Sequence, residues 1–111
     1  MTKSAMQEAT FLILTALAAD TQHGYGILAD VGQISGGRVR LRPGTLYTAL
    51  DRLRDDGLIV VDREEIVEGR LRRYYRLTGE GSERLAAEAA RLQANAHAAL
   101  SRLNPAGGMA T

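Results

Sequence analysis

The chain has 111 residues, 45% of them hydrophobic, and its 14 basic residues against 13 acidic ones leave a formal net charge of +1. One small domain is the expectation, marginal in stability alone and helped by a second copy that buries apolar surface. The absence of Cys excludes disulfides and thiolate metal sites, and without a long apolar run or a signal-like N-terminus the expected location is the cytoplasm, away from membranes.

Residues Ala5 to Ala19 form the first periodic segment. From Ala9 onward it is apolar except for Thr10 and Thr15, and a helix apolar nearly all round must be covered on several sides. A small domain offers little cover, so this helix is expected to lie between its own domain and a partner chain. Asp20 to Gln22 interrupt it. Thr21 or His23 then opens a second helix from about Gly24, with Ile27, Leu28, Val31 and Ile34 on one face, and Gly36-Gly37 ends it. The alternation Arg38-Val39-Arg40-Leu41-Arg42 predicts a brief strand.

Pro43 suits the first position of a third helix, where its missing N–H has no helical acceptor anyway. That helix runs to about Asp56 with Leu46, Ala49, Leu50 and Leu53 inward, and Gly57-Leu58 predicts a Schellman-type stop against Leu53. From Leu58 to Leu77 the period becomes that of strands, with Glu68-Gly69 as the reversal. Folding there sets Glu65 opposite Arg72, Glu64 opposite Arg73, Ile66 opposite Leu71 and Val60 opposite Leu77. A last helix spans about Gly79 to Leu103; Asn104-Pro105 stops it before a tail over 105–111 that is expected to be disordered.

The fold class is therefore mainly α with a small β hairpin (α+β), in the order of a winged helix-turn-helix. Residues 1–78 would form the winged unit with its N-terminal helix, and 79–104 a dimerisation helix.

Four blocks carry a family resemblance. His23-Gly24-Tyr25-Gly26-Ile27, then Pro43-Gly44-Thr45-Leu46-Tyr47 with Ala49-Leu50 and Arg52-Leu53, then Gly57-Leu58-Ile59, then Arg73-Tyr74-Tyr75-Arg76-Leu77-Thr78 resemble the PadR-like transcriptional regulators in order and spacing. The match covers about residues 8 to 85, and the single last helix resembles the compact subfamily. The resemblance implies a dimeric DNA-binding repressor of bacterial type, in some members released by small aromatic or multidrug ligands held between subunits. Arg42 departs from a common Ser before the Pro, and Thr48 from a common Pro after the Tyr. The chain also has no Trp, on which multidrug-binding relatives stack their ligands.

Between Arg38 and Arg76 ten Arg stand against seven acids, so position rather than sum must locate a nucleic-acid surface. On the third helix the inward set leaves Thr45, Thr48 and Arg52 along an outer stripe. A helix fits the major groove and its N-terminal residues reach base edges, which makes Thr48 and Arg52 the expected base contacts. Thr45, Tyr47 and the backbone near Gly44 suit phosphate, and Arg42 just ahead of the helix belongs with them. Two competing readings stand beside these. Arg52 could pair with Asp55 or Asp56, and Tyr47 could pack against the hairpin.

Asp51 and Asp55 would repel phosphate, which argues against deep insertion of the helix's C-terminal half. Arg70 and Arg72 flank the hairpin tip; Arg70 faces Val67 and lacks an ion-pair partner, whereas Arg72 has Glu65. Tyr25 could donate to phosphate or cover the core, and His23 reads as an interhelix hydrogen-bonder. No metal-ligand cluster and no nucleophile–base pair is visible, so no cofactor, metal or catalysis is expected.

Leu85, Ala89, Leu92, Ala96, Ala99 and Leu103 recur at spacings of 4, 3, 4, 3 and 4, a heptad seam. A helix of about 24 residues is about 36 Å long and outruns so small a body, so the seam is expected to join two copies together with the first helix. Its Ala positions leave room for a small-molecule effector lined by Phe11, Leu12, Leu92 and Ala96. The expected partners are thus double-stranded DNA with a pseudo-palindromic operator, a second copy, and that effector. A rival reading is a winged-helix protein-interaction module that never binds DNA, kept open by the low net charge and the acidic wing.

Overall fold

In a computed structural model, residues 5–104 are described; the tail expected over 105–111 lies outside them. The first helix, α1 (Glu8–Ala19), begins three residues later than its periodicity predicts. Gln7 is extended there, and the Met6 N–H donates to the Glu88 carboxylate at 3.3 Å, which pins the preceding segment away from helical geometry. Leu12, Ile13, Leu14, Ala16 and Leu17 are all buried inside the chain's own domain. The expectation that α1 needs a partner chain for cover is therefore corrected: its own domain wraps it.

A two-residue strand, β1 (Gln22–His23), leads into α2 (Gly24–Ile34). Gln22 Nε2 donates to the Ala16 carbonyl and the Asp30 carboxylate at 3.0 Å each, tying the three segments together. Ile27 and Val31 of α2 enter the core, whereas Ile34 is exposed. The chain then reverses at Gly36 and Gly37, whose φ values are 63° and 85°.

The alternation at Arg38–Arg42 is not a strand. Its backbone is tied to the turn instead, the Val39 N–H donating to Ser35 Oγ at 3.0 Å, while Val39 and Leu41 pack partly against the core. The third strand of the sheet is β1, which pairs antiparallel with Tyr74 and Tyr75 and gives the order β1-β3-β2.

The third helix, α3 (Pro43–Asp55), buries Leu46, Ala49, Leu50 and Leu53 as predicted. Its end is a Schellman stop: the Leu58 N–H donates to the Leu53 carbonyl and the Gly57 N–H to that of Arg54, both at 3.0 Å, with Gly57 at φ 77°. The same turn seats the last helix, α4 (Gly79–Leu103). Thr78 Oγ1 donates to the Gly57 carbonyl at 2.7 Å and accepts from the Gly81 N–H at 2.9 Å as the N-cap. Gly81 presses on the Leu58 carbonyl, where no side chain fits. The exit of one helix and the start of the other form a single joint.

The wing consists of β2 (Ile59–Val67) and β3 (Arg70–Leu77), joined through Glu68 at φ 52° and Gly69 at φ 78°, the left-handed pair of a type I′ turn. Glu65 faces Arg72, Glu64 faces Arg73 and Ile66 faces Leu71, but Val60 faces Arg76 rather than Leu77. A bulge at Asp62 shifts the register by one residue. The bulge lets Ile59 bury while Asp62 stays out and pairs with Arg76 at 3.1 Å. No helix among the described residues is long and apolar enough to cross a membrane.

Candidate nucleic-acid interface

The first two turns of α3 present Pro43, Gly44, Thr45, Tyr47 and Thr48 on the surface. Arg42 occupies the N-cap without a side-chain hydrogen bond to the helix. The first-turn N–H groups therefore lack a side-chain acceptor, and together with the dipole they favour an anion.

Tyr47 swings from α3 towards the first residue of α2. A Cβ on Gly24 would lie 2.7 Å from Tyr47 Cζ, so only glycine leaves room for the ring. Burial, then Tyr75 and Tyr25 nearby, push the Tyr47 phenol above its ordinary pKa, which keeps the hydroxyl protonated as a donor. The residue is still 42% exposed. It packs and faces solvent at once.

An open groove runs between α3, the start of α2 and the wing. Tyr25, Tyr47, Asp51, Arg70, Arg72 and Arg73 lie along it. The arginines of the wing, with Arg42 ahead of α3, fall into two groups. Arg63 pairs with Asp62 and Glu65 at 3.5 and 3.1 Å and lies 3.9 Å over the Tyr74 ring. Arg73 pairs with Glu64 at 2.8 Å and Arg76 with Asp62 at 3.1 Å. Arg42, Arg70 and Arg72 form no ion pair among the described residues.

The predicted pairing of Glu65 with Arg72 is thus corrected. The two residues do sit opposite each other, but Arg63, two residues along the same strand, takes the carboxylate. Arg72 joins Arg70 on one face of β3, since alternate residues share a face. His23 does not bridge helices; its ring packs on Tyr74 with centroids 5.4 Å apart. Burial first, then Arg72, lower the His23 pKa, so the imidazole adds no charge near neutral pH.

Arg52 is the other correction. Its Nη2 donates to Thr10 Oγ1 at 3.3 Å, binding α3 to α1. It neither lies on the groove-facing stripe nor pairs with Asp55 or Asp56. Arg52 stands at the shoulder of the inward set, next to α1, where a stripe drawn from α3 alone places it outside. One residue of the groove escapes a reading by residue type: Gly24 is signalled only by a glycine placed where a helix begins, whereas Asp51, read as repelling phosphate, lines the same groove.

Beyond Glu88, α4 is exposed throughout, with Leu100 at 63% and Leu103 at 76%. Ala89, Leu92, Ala96, Ala99 and Leu103 of the seam are therefore available, whereas Leu85 packs partly against its own core. Of the residues expected to line an effector site, Leu12 is only 6% exposed and belongs to the core. It is withdrawn from that set; Phe11 is partly exposed. Among the described residues, no group of three His, Cys, Asp or Glu is placed to hold a metal ion.

The model of the transcriptional regulator PadR-like family matches residues 13–87. The transcriptional regulator Rv3488 of Mycobacterium tuberculosis is 42% identical over 65 residues, which is 58% of this chain and 57% of that protein. The transcriptional regulator YqjI of Escherichia coli is 33% identical over 58 residues, 52% of this chain and 28% of that protein. The matched stretch is thus under two thirds of either relative. A PadR family transcription regulator of Clostridium difficile superposes with a TM-score of 0.71 at 26% identity, covering 87% of this chain and 99% of that one. Bacillus subtilis PadR in complex with operator DNA gives 0.65 at 24% identity, covering 73% and 47%, a likeness of fold. The chain belongs to the PadR-like family of transcriptional regulators.

Proposed function

We propose that this protein is a homodimeric, sequence-specific DNA-binding repressor that acts on a pseudo-palindromic operator. One observation carries the reading. Arg70 and Arg72 have no ion pair among the described residues and line the groove beside Tyr47 of α3, and Arg42, also without one, stands at the uncapped start of that helix, while Arg63, Arg73 and Arg76 are neutralised by wing acids. Charge held free along that groove and at the helix start, in a chain of net charge +1, is what a phosphate-binding face requires.

In this reading Thr48 reaches base edges, and Thr45, Tyr47, Tyr25, Arg42 and the Gly44 backbone hold phosphates. Arg70 and Arg72 follow the backbone beside the wing. Residues 1–78 form the DNA-binding unit. Residues 79–104 pair two copies through Ala89, Leu92, Ala96, Ala99 and Leu103. Two α3 helices then present themselves about 34 Å apart, one turn of B-DNA.

Release by a small, largely apolar effector against Phe11, Leu92 and Ala96 completes the scheme. Such a ligand acts only if it binds the DNA-incompetent arrangement more tightly. Ala96→Trp should fill the space and abolish induction while DNA binding survives.

Fluorescence anisotropy with the DNA upstream of its own gene, at several salt concentrations and with excess competitor, tests the core of the proposal. Retention against competitor supports it. Binding that competitor abolishes at every salt would favour the protein-interaction module instead.

A further inference from the structure

The side chains that read purine edges with two hydrogen bonds are Arg or Lys for guanine and Asn or Gln for adenine. Between Pro43 and Asp51, α3 has none of them. Arg52 is turned to Thr10, and Arg54 lies on the flank towards β2, beside Asp51, Asp55, Ile59, Val60 and Val61, without reaching the groove between α3 and the wing that Asp51 also borders. The outward stripe that remains holds Thr48, Asp51 and Asp55, all exposed, and of the two carboxylates only Asp51 lines the groove beside the wing.

Asp51 borders the groove between α3 and the wing and forms no ion pair among the described residues. A bare carboxylate on a face that approaches a polyanion weakens binding unless something there donates to it. In the major groove the donors are the amino groups of cytosine and adenine. Adenine sets its N7 acceptor beside the amine, and guanine presents acceptors only. Cytosine is the base edge that suits a carboxylate.

We propose that Asp51 is a specificity-determining residue that accepts a hydrogen bond from a cytosine amino group, while the Thr48 methyl packs on the C5-methyl of a neighbouring thymine. The inference rests on the DNA-binding reading above and adds which base pairs α3 selects. Each half-site carries a C·G pair whose cytosine faces Asp51, and guanine at that place is rejected by repulsion between acceptors. Arg70 and Arg72, along the same groove, offset the repulsion between Asp51 and the backbone. The docking is shallow, and the readout comes from the middle of the helix.

The test is selection from a random duplex library with the full-length wild-type protein, Asp51→Ala and Asp51→Asn, after matched melting curves. The wild type should enrich a motif with cytosine at one fixed position per half-site. Asp51→Ala should flatten preference at that position by about tenfold and leave the rest of the motif intact. Asp51→Asn should move the preference towards adenine. If Asp51→Ala instead tightens binding to every sequence alike and keeps the motif, the carboxylate only repels phosphate and the proposal is overturned. A wild-type protein that enriches no motif overturns the DNA-binding reading itself, an outcome plainly different from an unchanged motif.

Discussion

Tyr47 of α3 rests on Gly24 of α2, and the contact holds α3 to the start of its neighbour with no space for a side chain between them. Gly24→Ala tests how firmly. Alanine gains at most about 1 kcal/mol of helix propensity over glycine, whereas overpacking costs about 1–3 kcal/mol. The clash should win. Urea denaturation should show net destabilisation of up to about 3 kcal/mol, and adding Tyr47→Ala should recover part of it, since coupled neighbours are non-additive. An unchanged midpoint would mean that Tyr47 moves freely.

The division of the wing arginines makes a second prediction. Each phosphate contact adds about 0.9 to the slope of log affinity against log salt. Arg70→Ala and Arg72→Ala should each lower that slope by about one unit and weaken binding to all sequences. Arg76→Ala, whose guanidinium already pairs with Asp62, should leave it nearly unchanged. Equal effects from all three would mean that the internal pairs break on binding and that the division is wrong.

Long-period elements were readable from sequence because each rests on several residues that agree. The α3 boundary followed from Pro43, the inward Leu set and Gly57 together, and the wing tip from Glu68-Gly69 between two alternating runs. The failures share one cause: they depend on what lies across space. Gln22-His23 is too short to show a period, and only β3 makes it a strand. Arg38–Arg42 alternates but has no neighbour to pair with. Arg52 and Arg72 each had a plausible local partner, yet Thr10, 42 residues away, and Arg63 decided their positions. The bulge at Asp62 was invisible because every pairing near the tip was already satisfied.

Dimerisation through α4 is best tested without deleting it. Removing residues 85–111 should cause aggregation or loss of folding, but Leu85 and Glu88 also hold the domain itself together. Leu92→Glu together with Ala96→Glu places charge on the exposed seam alone. Light scattering should then report a folded monomer with wild-type circular dichroism. Operator affinity should fall steeply, because one half-site must bind alone. A charged seam that leaves the dimer intact would move the interface elsewhere.

Acid should unfold this protein through two identifiable groups. Glu88 accepts from the Met6 N–H at 3.3 Å and from Arg91 Nε at 3.2 Å. The Arg91 hydrogen bonds are the largest influence and hold its carboxyl below the ordinary value. A lowered carboxyl pKa means that the unfolded chain takes up the proton first, so the stabilisation is complete above the ordinary carboxylate range and is lost as pH falls to the lowered value. His23 is lowered as well, by burial and then by Arg72. Its neutral form is favoured in the fold, so its contribution begins to fade already as pH drops below the ordinary imidazole range. The melting temperature should therefore fall in two stages on the acid side, the imidazole stage first. Glu88→Gln should lower Tm near neutral pH and flatten the second stage, because the amide still reaches Met6 but no longer titrates or attracts Arg91. His23→Gln should remove only the first. If the Glu88→Gln curve runs parallel to the wild type through the whole acid range, the Glu88 carboxyl titrates alike in the folded and unfolded chain and the second stage has another source.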